Sequence, residues 1–151
     1  MSQSLQGKVA VITGSGQGVG RGIALFFAKE GAKIITNNRK PMLAQDAPKS
    51  LSEEEKKQWF SLRGDANTVA EEIRAAGGQA EPYFCDVSNY NDAGELIDFA
   101  VKKFGKIDIL VNNAAICTAG ALINLTEEDW DKETIVKMKG TFNCMKHAVP
   151  H

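Results

Sequence analysis

Residues 8–20, KVAVITGSGQGVG, constrain this chain more tightly than any other stretch. A four-residue apolar run empties into four glycines and then into an amphipathic segment. Val9, Ala10, Val11 and Ile12 suit a strand covered on both faces of a parallel sheet, because no position in the run is polar. Gly14, Gly16, Gly18 and Gly20 allow positive φ and close approach of a ligand with no Cβ in the way. Ile23, Ala24, Phe27 and Ala28 recur at helical spacing, which puts the glycines at a helix N-terminus. Unpaired N–H groups and the positive end of the helix dipole attract a pyrophosphate there. The plainer alternative is an ordinary glycine-rich turn between strand and helix.

Glycine spacing narrows the choice. The third glycine of G-x-G-x-x-G never falls in place from Gly14, Gly16 or Gly18, and no Gly-Lys-Ser/Thr follows to make a P-loop. The stretch Gly14-Ser15-Gly16-Gln17-Gly18 also fits the G-x-G-x-G of S-adenosylmethionine methyltransferases. Those enzymes usually place acids just before the loop and at the end of the second strand, where this chain has Thr13 and Asn38. What stands is Thr13-Gly14, three residues, Gly18, one residue, Gly20, and this TGxxxGxG resembles the short-chain dehydrogenase/reductase family. The resemblance implies an α/β Rossmann-type doubly wound parallel sheet, an NAD or NADP cofactor, and interconversion of hydroxyl and carbonyl groups on a small molecule. It also implies cofactor contacts from Gly14, Ser15, Gln17, Gly18, Val19 and Gly20.

The chain's 151 residues fit a single domain, and a net charge of −1 argues against a broad electrostatic footprint for nucleic acid or anionic lipid. The N-terminus lacks a basic region followed by a long apolar run and no stretch reaches membrane-spanning length, so a cytoplasmic address is expected. Cys85, Cys117 and Cys144 are odd in number and widely spaced among apolar or small residues, which predicts reduced core thiols and no metal site.

Farther along, Gly31 reads as a helix stop and residues 33–37 as a second strand. In dinucleotide folds an acid at the end of that strand bonds a ribose 2′-OH, whereas an arginine accepts a 2′-phosphate. Asn38 and Arg39 stand there, favouring NADP over NAD, although Gln17 occupies the position of the family's other basic NADP cue. Residues 40–66 form an insertion with a predicted short helix over 53–57, a capping box from Ser52 and Glu55, and Trp59 and Phe60 as candidates for binding or interface. A charge run such as 53–57 otherwise reads as a solvated face.

The spacing then predicts a helix over 67–76, a strand over 80–85, a helix over 91–104 ended by Gly105, and a fourth strand over 106–111. In the resembled family an Asp-Val pair after the third strand lies against adenine, which assigns Asp86 and Val87 that place; capping of the next turn is the alternative for Asp86. Asn112-Asn113-Ala114-Ala115 is close to the family's NNAG, with Ala115 for the usual glycine, and implies that Asn113, Ala114 and Ala115 border the nicotinamide ribose. A long final helix over 126–149 carries Val136-Lys137-Met138-Lys139-Gly140, similar to the family's V-N-x-x-G with Lys137 in the asparagine position. His147 and His151 belong to no recognisable catalytic motif.

The resemblance implies further a serine and a Tyr-x-x-x-Lys, which protonate and hold the substrate oxygen. Neither Tyr83 nor Tyr90 is followed by lysine at that spacing, so no catalytic residue is assigned. A sheet in the order 3-2-1-4 would leave its fourth strand as an open edge. The expectation is the cofactor half of a reductase, part of a longer enzyme, one chain of a pair, or a truncated product; a homo-oligomer or a completing C-terminal half would cover the edge. A nucleotide-binding module without turnover is the alternative. The insertion resembles members acting on 3-oxoacyl thioesters.

Overall fold

The computed structural model describes residues 3–151 and, among them, all side chains but those at 44 and 60–62. Phe60 therefore lies outside the described side chains.

Strand β1 (Val9–Ile12) forms because its four apolar residues are 0% exposed, buried from both sides at once. It is flanked by β2 (Lys33–Asn38) and β4 (Ile109–Val111), and β3 (Gln79–Phe84) adds to β2, giving the parallel order β3-β2-β1-β4. The order matches the expected 3-2-1-4. Alternation along β1 divides two cores. Ala10 and Ile12 face Ala24 of α1 (Gly18–Lys29) and Val69, Ala70 and Ile73 of α3 (Ala66–Ala75). Val11 and Ile35 face Leu96, Ile97 and Ala100 of α4 (Tyr90–Phe104), with Cys144 behind them. Each fully buried Ile or Leu contributes about 1.5–3 kcal/mol, which makes the two cores the main source of stability. Pro82 sits in β3, at a sheet edge, where its missing N–H costs no central ladder bond.

Most boundaries shift by a single residue, and three elements depart further from the sequence reading. The predicted fourth strand over 106–111 shortens to three residues because the Asp108 carboxylate, not a backbone carbonyl, accepts the Val9 N–H at 2.9 Å. The short helix of the insertion becomes α2 (Glu53–Leu62), opened by the expected capping box: Ser52 Oγ accepts from Glu55 N, and Glu55 Oε2 accepts from Ser52 N at 2.8 Å. The single final helix is α5 (Glu127–Thr134), a π turn over Ile135–Lys139, and α6 (Gly140–Ala148) on one continuous right-handed path. The π turn alters the helix phase, and beyond it Gly140, Asn143 and Cys144 are buried. Asn143 Nδ2 donates to the carbonyls of Val87 (3.0 Å) and Ser88 (3.2 Å), pinning α6 to the loop after β3.

The cysteines divide. Cys85 and Cys144 are buried as expected, and Cys117 is exposed in the loop after β4, contrary to its reading as a core thiol. Burial pushes the Cys85 thiol up to about 12 and the Cys144 thiol up to about 11, so both stay protonated at neutral pH. His147 packs rather than reacts: its ring lies 4.4 Å from that of Tyr90, and its Nε2–H donates to the Tyr90 carbonyl at 3.0 Å. Among the described residues no helix is long and apolar enough to cross a membrane.

Candidate functional site

All four strands end at one edge of the sheet, and their carboxyl tips surround a cavity of about 420 Å³. Ligands in open α/β sheets lie outside such tips, at the point where strand order reverses. Here that point falls between β1 and β4.

The β1 tip begins with Thr13, 1% exposed, whose Oγ1 accepts the N–H groups of Asn113 and Ala114, each at 3.0 Å, and donates to the Val111 carbonyl. Asn113 answers with Nδ2, donating to the carbonyls of Thr13 and Gly14 at 3.0 Å. The glycine turn is thus bolted to the strand tip beside it. Gly14 (φ +64°) and Gly18 (φ +56°) take the left-handed conformation. Close approach explains the other two glycines. A Cβ on Gly16 would meet the Asn38 carboxamide oxygen and sit 2.6 Å from Asp65 Cα, and one on Gly20 would collide with the Asn113 carboxamide.

Helix α1 then starts at Gly18 with Gln17 as N-cap, without a side-chain capping bond and without an acid in its first turn. By contrast, Asp65 caps α3, Asn89 caps α4 and Thr126 caps α5. The first N–H groups of α1 therefore keep their donor capacity beside the cavity mouth.

The structure brings Gly14, Gln17, Asn38, Arg39, Asp86, Val87, Ala114 and Ala115 to one cavity wall. Ser15 turns inward: its N–H donates to the Asn37 carbonyl and its Oγ accepts the Asn37 N–H, both at 2.9 Å, so it ties the turn to β2. Val19 projects outward from the first turn of α1, 73% exposed, and Gly20 is packed beneath. Asp86 Oδ1 accepts from the Ser88 N–H and hydroxyl, the capping arrangement weighed for it, while Asp86 also lines the cavity. Val87 touches the site where Gly140 stands; a Cβ there would come within 2.9 Å of Val87 Cγ2. The family-like glycine therefore lets the final helix close on the Asp-Val pair. Asn38 Oδ1 is buried with no hydrogen-bond partner among the described residues, an acceptor left over beside the cavity.

Lys137 does not face this arrangement as a carboxamide would. Its Nζ donates to Glu133 Oε2 at 2.6 Å, and Glu133 Oε1 accepts the Thr118 N–H at 2.6 Å. The pairing with Glu133 raises Lys137 and lowers Glu133, so both stay charged at neutral pH. The pair clamps the loop that follows Ala114 and Ala115.

Trp59, singled out in the sequence for binding or interface, lines the wall, whereas sequence reasoning missed several other wall residues: Ile116, Val136, and from the insertion Arg63 and Asp65. Asp65 carried a readable signal, an Asp-x-x-Thr capping box, and its Oδ1 accepts from Thr68 N while Thr68 Oγ1 accepts from Asp65 N. The rest carried none, because lining a cavity at long sequence separation leaves no local pattern.

The sequence model of the short chain dehydrogenase family matches residues 8–68 and 61–151. The chain belongs to that family. The two matched segments overlap over residues 61–68. A short chain dehydrogenase from Mycobacterium avium superposes with a TM-score of 0.79 at 37% identity, covering 97% of this chain and 46% of that one. Among curated relatives, the peroxisomal multifunctional enzyme type 2 of Drosophila melanogaster is 38% identical over 148 residues, covering 96% of this chain and 22% of the relative. A 3-oxoacyl-acyl-carrier-protein reductase of Thermotoga maritima is 33% identical over 147 residues, covering 97% and 51%. The chain thus spans about half the length of that reductase, and less of the multifunctional enzyme.

Proposed function

We propose that this short-chain dehydrogenase chain binds NAD(P) at the strand tips and forms the cofactor part of an oxidoreductase that interconverts hydroxyl and carbonyl groups. The observation that carries the reading is the uncapped start of α1, opening beside a cavity lined by all four strand tips with two left-handed glycines in the turn. The residues fit the group. Gly14, Gln17 and Gly18 would present backbone donors to a pyrophosphate. The unpartnered Asn38 Oδ1 would accept a ribose hydroxyl, and Arg39 would face a 2′-phosphate, so NADP is the preferred form. Asp86 and Val87 would border adenine, and Ala114 and Ala115 the nicotinamide ribose. Ser15, Gly20 and Asn113 act by shaping the turn, and Val19 by opening the first turn of α1.

When bound, the nicotinamide supplies the hydride donor or acceptor. This chain's residues bind and orient it, and none is assigned a proton. The relatives' names suggest an acyl thioester bearing a 3-oxo group as substrate class. Further polypeptide, a second copy or a completing half, would cover the free edge of β4 and the apolar side of the final helix, where Trp130 is 71%, Met138 69% and Val149 84% exposed. Cysteine usage suits the cytosol, and because some relatives are peroxisomal by name, localisation of a fluorescent fusion decides between them.

The test is calorimetric titration with NADP and NAD of the wild-type chain and Arg39→Ala. The expected result is NADP affinity lower by about tenfold or more in the variant with NAD unchanged, the scale of one charge-assisted contact. Unchanged NADP affinity would remove Arg39 as the phosphate ligand, and a folded chain that binds neither coenzyme would overturn the reading.

A further inference from the structure

The insertion is drawn back onto the strand tips. Asp65 Oδ2 accepts the Met42 N–H at 2.9 Å, joining the beginning of the insertion to its end. Thr36 Oγ1 donates to the Ala66 carbonyl at 2.7 Å, anchoring that end to β2. Gly64 and Asp65 lie so close to Gly16 that a side chain there would strike both, so the last residues of the insertion rest on the glycine turn itself.

Arg63 immediately precedes this contact and lines the same cavity as Arg39. Its guanidinium carbon sits 4.6 Å from the centre of the Trp59 ring, one helical turn earlier. Stacking on an aromatic face steadies a guanidinium while leaving its N–H edges free to donate. Three carboxylates share the cavity wall, and each is already engaged: Asp46 with Lys40 and the Leu43 N–H, Asp65 with the Met42 and Thr68 N–H groups, Asp86 with Ser88. Among the described residues neither Arg39 nor Arg63 forms an ion pair. Two guanidinium groups without acidic partners among the described residues, lining one cavity, suit a dianion better than a hydroxyl.

We propose that Arg63, supplied by the insertion and steadied on the Trp59 ring, is a specificity-determining residue for the adenosine 2′-phosphate, acting with Arg39 in the same cavity. The proposal rests on the cofactor reading above. It assigns the insertion a role in choosing between two dinucleotides, which the residues at the end of β2 would otherwise carry alone.

The experiment titrates the chain with 5′-AMP and with 2′,5′-ADP, two ligands that differ only in the phosphate at issue. Wild type, Arg63→Gln and Arg63→Lys are compared; Arg63 is exposed, so these variants leave the core untouched. Arg63→Gln is expected to lose about tenfold or more of its 2′,5′-ADP affinity while 5′-AMP binding stays within about twofold, and Arg63→Lys to fall between. If Arg63→Gln binds 2′,5′-ADP like wild type, or loses both ligands equally, the proposal is overturned while the cofactor reading stands. If wild type binds neither ligand, the cofactor reading fails and takes this proposal with it.

Discussion

Thr13 shows how one atom organises the site. Its hydroxyl oxygen accepts two backbone N–H groups that are otherwise enclosed between β1 and β4. Replacing it by valine keeps the shape and removes the acceptor, leaving the Ala114 N–H without this partner and the Asn113 N–H with only the Val111 carbonyl at 3.1 Å, in a part-buried place. Thr13→Val is expected to cost about 1–3 kcal/mol, read as a lower urea midpoint at unchanged slope. Coenzyme affinity should fall with it, because the hydroxyl positions Asn113, whose carboxamide holds the glycine turn through the carbonyls of Thr13 and Gly14. A midpoint equal to wild type would mean that water or the neighbouring carbonyls replace the hydroxyl. The sequence pattern contained this threonine only as the first letter of TGxxxGxG. Its purpose is visible only where Asn113, a hundred residues on, comes to lie against it.

Among the elements, the final helix carries the largest departure from the sequence reading. Its apolar spacing predicted one helix, and its path is one helix, but the π turn at Ile135–Lys139 sets the phase of everything beyond. Periodicity cannot reveal a single inserted residue, since the pattern on either side remains helical. Lys137 lies within that turn, and its bond to Glu133 supports the Thr118 amide from outside the cavity. Glu133→Ala should therefore accelerate hydrogen exchange at Thr118 by about tenfold, the scale of one charge-assisted hydrogen bond, while the global unfolding midpoint barely moves. Equal exchange rates in the two proteins would show that the loop is held by other contacts.

For the whole molecule, acid is the sensitive direction. Asp108 joins β1 to β4 at the opposite end from the cavity, and the Lys106 hydrogen bond, the Val9 N–H and Lys8 hold its carboxyl down to about 2. Glu30, Asp46, Glu55, Asp129 and Glu133 are lowered as well, each by hydrogen bonds to backbone or side-chain donors. A carboxylate whose folded pKa lies below its unfolded value of about 3.9 stabilises fully above that value and loses its contribution as pH falls through the folded one. The urea midpoint should therefore decline between about pH 4 and pH 2, and Asp108→Asn should flatten that limb while weakening the protein at neutral pH. An acid limb as steep in Asp108→Asn as in wild type would place the sensitivity elsewhere.

Much of the α/β frame was determined along the chain itself. Unbroken apolar runs, glycine stops and helical spacing are local, and backbone sterics together with burial translate them into strands and helices without reference to distant residues. The strands, the helices and the glycine turn were legible for that reason, whereas the order 3-2-1-4 followed from the family resemblance. Tertiary structure alone decided which residues share the cavity. It brought Trp59 and Arg63 from the insertion to the tip of β2, turned Ser15 inward, drew Lys137 onto Glu133, and left Cys117 outside. Those placements depend on contacts between segments far apart in sequence, where packing and hydrogen-bond satisfaction, not local propensity, set the lowest free energy.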